Sequence, residues 1–392
     1  MLWIPRVLLS PLYVANEYVV RRPLGAFVIH AERDRWSDSV AQLFTFGEGG
    51  HNLLVPTASF DLGLAPSVGV YYALGEAGAA DNRLAVQLAT WGLRSIRASA
   101  ADTYAIDEPD QLQARLELER VRDHLFVGVG PDATRGVKSR YGVERVEGSI
   151  GYRRRLTGAG WLAAESGVRR IGFVDGCCGD PTLDERIARG EVMAPPGYRG
   201  DYTAGFGRVA VQLDTRRARP APGSGVYLRL TGGPSVAPRD RAWIHYGGVA
   251  GGALDLTGHR RTVELQLAVD FVDAMAGAVP FTEYPTLGGE SMPGFVAGWM
   301  TGRSTTAAQL GYTWPVWLGL DARTRFTLGN AWDSHLAGFS PRELRMSGDV
   351  GFTTTDDGDR GLEILVGVGT ETFERGAHVT SLRVTVGWRP SS

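Results

Sequence analysis

The side chains that could do chemistry are many, but their spacing is poor for catalysis. The seven histidines (His30, His51, His124, His245, His259, His335 and His378) are scattered. No two stand four residues apart, and none has a cysteine near it, so no metal-ligand spacing is present. The two cysteines, Cys177 and Cys178, are adjacent in the run DGCCGD. Neighbouring cysteines cannot staple distant segments. A reduced loop pair and a vicinal disulfide both remain open, and a metal site completed by Asp175 and Asp180 lacks a nearby histidine. No nucleophile elbow and no phosphate loop is found. What remains is a population of carboxylates on polar faces: Glu117, Glu119, Glu147, Glu264, Asp270 and Asp349. They interleave with Arg115, Arg145, Arg153, Arg229, Arg323 and Arg383. That interleaving suits a cross-strand charge lattice in a wet interior better than paired acid–base chemistry. The expectation is a protein that is not an enzyme and needs no cofactor or metal.

The elements holding these residues repeat with period two. Leu112–Arg122 sets Ala114, Leu116 and Leu118 against Gln113, Arg115, Glu117 and Glu119. Arg261–Phe271 sets Val263, Leu265, Leu267, Val269 and Phe271 against Glu264, Gln266 and Asp270. A soluble sandwich and a membrane barrel both give this alternation. The chain has no apolar, uncharged run of about 18 residues, so it has no spanning helix; spanning strands need only about 9–11 residues. Gly is 53 of 392 residues, about twice the usual share of roughly 7%. The formal charge is -2 and no basic patch with interleaved aromatics appears, which argues against a nucleic-acid partner.

Sixteen strands are expected, near 52–62, 65–74, 83–93, 95–105, 111–122, 142–155, 160–173, 202–214, 223–232, 240–254, 259–272, 303–314, 319–329, 343–354, 360–369 and 380–388. Tight connections (Thr157–Ala159, Thr257–Gly258, Pro315–Leu318, Thr355–Asp359) alternate with long ones (Asp123–Tyr141, Val174–Asp201, Val272–Gly302, Asn330–Arg342). Segregated lengths are what an outer-membrane barrel has: short periplasmic turns and long extracellular loops. The expected class is therefore all-β, a sixteen-stranded antiparallel transmembrane barrel over 52–392. Residues 1–36 have helix-like apolar spacing broken by Pro11 and Pro23, and read as a short amphipathic helical segment; 37–51 read as a linker.

One stretch carries a resemblance. Residues 280–317 read PFTEYPTLGGESMPGFVAGWMTGRSTTAAQLGYTWPVW: a long loop with Leu-Gly-Gly, a small-Gly-Phe turn, Gly302-Arg303, and a strand with Tyr312 and Pro315. This resembles the loop between strands eleven and twelve of the BamA/TamA family, also called the bacterial surface antigen family. The glycine-rich run around 125–154 and the aromatic Trp388 of the last strand fit the same family, although Arg389–Ser392 follow Trp388 here. Two motif positions depart from the family. Pro293 stands in Met292-Pro293-Gly294-Phe295 where the family has Arg. Thr327 stands two residues before Gly329, in the strand of Arg325, where the family has the Asp that holds that Arg. Both halves of an ion pair are replaced together, and neither charge is left alone.

The resemblance implies a bacterial outer-membrane barrel that assists insertion or translocation of protein or lipid, with the bilayer, client outer-membrane proteins or periplasmic partner proteins as its partners. Only about 50 residues precede the first strand, so the family's tandem periplasmic domains are not expected in this chain. A passive or gated channel and a structural or surface-interaction barrel stay open beside that reading. The loop is expected to fold into the lumen through Met292–Phe295, against a wall containing Thr327, with Arg303 or Arg325 free for other polar contacts. The seam between the first strand, with Pro56 and Thr57, and the last, with Thr385 and Trp388, is expected to be the weakest closure. Proline lacks the N–H that one rung of the ladder needs.

Overall fold

The computed structural model describes residues 44–47, 51–61, 64, 66–78, 81–91, 95–107, 109–133, 135–216, 223–258, 260–317, 320–354 and 360–390. The helical segment expected over 1–36, and most of the linker, lie outside these residues. The chain divides into two compact units, Met1–Leu54 and Val55–Ser392. In the first unit Thr45 and Phe46 pair antiparallel with Leu53 and Asn52.

Sixteen long strands form the barrel: β1 (Asn52–Asp61), β2 (Ser67–Gly75), β3 (Asn82–Trp91), β4 (Ser95–Asp107), β5 (Asp110–Phe126), β6 (Ser139–Thr157), β7 (Gly160–Val174), β8 (Tyr202–Asp214), β9 (Gly225–Ala237), β10 (Arg241–Asp255), β11 (Thr262–Ala276), β12 (Ser304–Trp317), β13 (Leu320–Trp332), β14 (Arg345–Thr354), β15 (Arg360–Thr370) and β16 (Val379–Pro390). Each pairs with its sequence neighbour, and β16 pairs with β1, so the long strands close without a free edge. Closure is what a sheet in lipid requires, because an open edge would leave backbone groups unsatisfied.

The two faces settle which kind of sheet this is. Ile150, Leu265 and Leu382 on the outer face are 69%, 62% and 54% exposed. Thr327, Arg345 and Ser347 on the inner face are buried. Apolar out and polar in is the inverse of a soluble sandwich, and it fits a lipid-facing wall around a polar lumen. Tyr312 and Trp314 stack near the short-turn rim, where an aromatic girdle belongs.

The strands fall where the alternation places them, but several run further. β5 reaches Phe126, β6 starts at Ser139 and β9 continues to Ala237. At that rim long loops cover the inner face, and Val121, Asp123, Leu125 and Phe126 are all buried. The alternation fades there because burial no longer alternates. The tight turn expected at Pro315–Leu318 starts later: Pro315 stays in the ladder opposite Asp321, and the register slips before Trp317. Cys177 and Cys178 form a disulfide in the long loop between β7 and β8. That loop also holds α1 (Leu183–Ala188), capped by a reciprocal bond between Thr182 and Glu185.

Candidate functional site

The connection between β11 and β12 turns inward. It first anchors through Phe281, whose ring lies 5.9, 5.2 and 6.1 Å from Phe126, Tyr141 and Phe173. Two residues on, Glu283 enters the lumen and meets Arg169 at 3.1 Å, His245 Nε2 at 3.2 Å and the Tyr202 hydroxyl, which donates to it at 2.5 Å. Burial pushes the Glu283 carboxyl up. The His245 hydrogen bond, the Arg169 charge and the Tyr202 hydroxyl outweigh it and hold the group at about 2. A two-residue ladder, Thr286–Leu287 with Met300–Thr301, then closes the neck of the loop.

Beyond the neck lies the apolar turn Met292-Pro293-Gly294-Phe295. Met292, Phe295 and Met300 are fully buried, and they cluster with Leu125, Val127, Ala307 and Ala331. Each buried side chain of this size contributes about 1.5–3 kcal/mol. That driving force does not depend on the arginine the family carries there. The turn is tight: the Phe295 amide donates to the Met292 carbonyl at 2.9 Å, and the Gly289 amide to the Phe295 carbonyl at 2.8 Å.

The wall receiving this turn runs across β13, β14 and β15. The Gly294 amide donates to Ser347 Oγ at 2.7 Å. A β-carbon on Gly294 would stand 2.0 Å from the Val368 carbonyl oxygen, one on Gly367 2.8 Å from the Pro293 carbonyl oxygen, and one on Gly369 2.5 Å from the Phe295 ring. Close approach of two backbones is the reason these positions are glycine. Gly329 does the same for Met292, whose sulfur would lie 3.1 Å from an added β-carbon.

The residues singled out from sequence therefore separate into groups. Met292, Pro293, Gly294, Phe295 and Gly329 meet in one contact. Thr327 is fully buried in the same wall, opposite Gln309 and Ser347, and its hydroxyl has no hydrogen-bond partner among the described residues. Arg325 is not free for the loop: its Nε donates to both Asp349 oxygens at 3.1 Å. Arg303 is occupied as well, at the base of the loop, 3.4 Å from Asp273 and 3.7 Å from Asp333. Gly302 sits there against the Trp332 carbonyl, where a β-carbon would be 2.4 Å away.

Among the described residues, the seam registers Ser59, Phe60 and Asp61 opposite Gly387, Val386 and Thr385. The β5–β6 ladder, by contrast, runs from Asp110 opposite Arg154 to Phe126 opposite Ser139. Thr385 thus faces Asp61 and not Thr57; Pro56 and Thr57 lie beyond the paired residues, and Trp388 pairs with Leu362 on the other side of β16. A stronger tie adds to this short ladder. Arg383 Nε donates to both Asp61 oxygens at 2.8 Å and Nη2 to Oδ2 at 2.5 Å, while Nη1 donates to the Gly289 carbonyl at 2.9 Å. One guanidinium holds the first strand, the last strand and the inward loop.

Sequence reasoning placed Arg383 in a general lattice but missed Asp61, Ser347 and the pair Gly367 and Gly369. The glycine pair had a signal, since two glycines on the polar face of one strand mark a close backbone approach.

No protein-family model matches the chain, and no curated protein matches it in sequence. Solved structures do match. BamA from Haemophilus ducreyi lacking POTRA domains 1-3 aligns with a TM-score of 0.62 at 10% identity, over 86% of this chain and 70% of that one. CdiB from Acinetobacter baumannii aligns at 0.53 and 11%, over 86% of this chain. CdiB from Escherichia coli aligns at 0.51 and 12%, over 85%. The chain spans 59% and 62% of those two CdiB chains. At these identities the likeness carries the fold, which is that of a BamA-like outer-membrane barrel.

Proposed function

We propose that this barrel assists insertion or translocation of protein or lipid at a bacterial outer membrane, in the manner of the BamA/TamA family. Its seam between β1 and β16 is the edge that opens. The observation carrying this reading is the seam itself: three registered pairs among the described residues, joined by one arginine that also grips the inward loop. An edge that must open needs few rungs, and a client strand could add to it by β-augmentation. Its partners are then the bilayer, client outer-membrane proteins and periplasmic proteins that deliver them.

The register supplies the test. Phe60 and Val386 face each other across the seam. The double variant Phe60→Cys/Val386→Cys, oxidised in liposomes, should insert a client barrel far more slowly than the same protein after reduction. Equal insertion with the bond formed and broken overturns the reading in favour of a channel or structural barrel.

A further inference from the structure

Most lumenal arginines are paired. Arg97, Arg169, Arg208, Arg216, Arg323, Arg325 and Arg383 each have a carboxylate within 3.2 Å. The lattice expected from sequence fails at one place. Arg83, Arg153, Arg155 and Arg229 have no carboxylate within ion-pair distance among the described residues. All four lie at the short-turn end of the barrel: Arg83 is the second residue of β3, Arg153 and Arg155 are among the last five of β6, and Arg229 is the fifth of β9.

Arg83, Arg153 and Arg155 line an open cleft on the lumenal wall, and Arg229 stands beside it. One lobe of about 550 Å³ is bordered by Arg83, Gln113, Arg115 and Arg153. A second of about 400 Å³ is bordered by Arg155, Thr157 and Gln212, and Arg153, Gln111 and Trp161 line both. Arg229 stands opposite Gln212 in the β8–β9 ladder. The Arg153 guanidinium lies 4.4 Å from the Trp161 ring centroid, a cation–π contact that steadies it in the cleft. Of the acidic neighbours, Glu165 is held by Arg208 and Asp214 by Arg216, while Asp81 borders the first lobe without an ion pair among the described residues, one carboxylate against the unpaired arginines.

The geometry points to a binding site for an extended acidic peptide at the short-turn mouth of the lumen. Spacing decides between a peptide and a small anion. Three strand intervals separate β3 from β6, and three more separate β6 from β9. At about 4.8 Å per interval, the strands that carry the arginines stand at steps of roughly 14 Å along the wall. One phosphate or sulfate can meet Arg153 and Arg155, two residues apart on β6, but cannot also span the steps to the strands of Arg83 and Arg229. An extended chain with a carboxylate at every second residue presents a charge about every 6.6–6.8 Å and matches them at alternate charges. The amides of Gln111, Gln113 and Gln212 suit its backbone between the charges. The occupant enters from the aqueous mouth, because the cleft faces the lumen and the closed wall separates it from lipid.

The inference stands whether or not the seam opens. A cross-linked seam should leave peptide binding unchanged, so the two ideas fail separately. The test uses the whole chain in nanodiscs and fluorescently labelled peptides with Glu, or Gln, at every second position. The Glu peptide should bind, the Gln peptide should not, and added salt should weaken the binding. Arg153→Gln/Arg155→Gln should weaken it roughly tenfold, from two partly exposed ion pairs. Arg153→Glu/Arg155→Glu should favour a Lys peptide instead. Equal binding of Glu and Gln peptides overturns the proposal. Full displacement by inorganic phosphate at equal charge also overturns it, in favour of a small-anion site. If the arginine variants do not fold, the Glu–Gln comparison on the unaltered protein decides alone.

Discussion

Arg383 makes four polar contacts, three to Asp61 and one to Gly289. The side chain is 7% exposed, so little water is available to replace a lost partner. Removing one member of a buried pair leaves an uncompensated charge and costs about 3–5 kcal/mol; removing both costs much less. Arg383→Gln should therefore lower the barrel's unfolding midpoint strongly, and so should Asp61→Asn. The double variant should cost clearly less than the sum. Strictly additive losses, read from the heat-dependent gel shift of the folded barrel, would falsify a shared latch. Gly289 extends the expectation to the loop: Arg383→Gln should also raise protease cleavage there.

The inward loop is an element held at two levels, by Glu283 at its neck and by Met292 and Phe295 at its turn. The neck is sensitive to acid. Glu283 sits at about 2, below the roughly 4.3 of an unfolded glutamate. A depressed carboxylate contributes stability that is fully present above the unfolded value and is lost as pH falls toward the folded one. The contribution is on the order of 3 kcal/mol. Protection of the loop from protease, by an acid-tolerant enzyme, should hold from pH 7 to about 5 and fall between about 4 and 2. Glu283→Gln should flatten that profile. A profile unchanged by the substitution would mean that another group governs release.

At the scale of the molecule, the long-loop mouth is bridged. Residues 127–138 join β5 to β6, yet they bond to strands half a circumference away. Arg345 of β14 donates to the Ala133 carbonyl at 2.5 Å, and Asn330 of β13 to the Pro131 carbonyl at 3.4 Å. Arg375, in the connection between β15 and β16, pairs with Asp132 at 2.9 Å. With the inward loop beneath it, this bridge leaves little free path through the lumen. Conductance in planar bilayers should be small, and deleting residues 129–137 together with 284–299 should raise it severalfold. A large, steady conductance of the unaltered barrel would favour the channel reading.

The sequence by itself determined the strand count, the antiparallel order and the division into short-turn and long-loop rims. These depend on local periodicity and turn chemistry, which each segment carries alone. It also marked the loop at 280–302 and its turn at Met292–Phe295, because an apolar turn in a long polar connection needs somewhere to be buried. Which face met lipid could not be read from alternation, since both arrangements give the same pattern; the closed sheet, with its apolar face outward and its polar face buried within, decided it. The partners of charges were likewise invisible. Asp61 and Arg383 are 322 residues apart, and only the meeting of the first and last strands makes them one ion pair. The same closure leaves Arg153 and Arg229 without a carboxylate at ion-pair distance among the described residues, where periodicity placed them in a lattice, because pairing depends on what stands across the wall and not on what stands next in the chain.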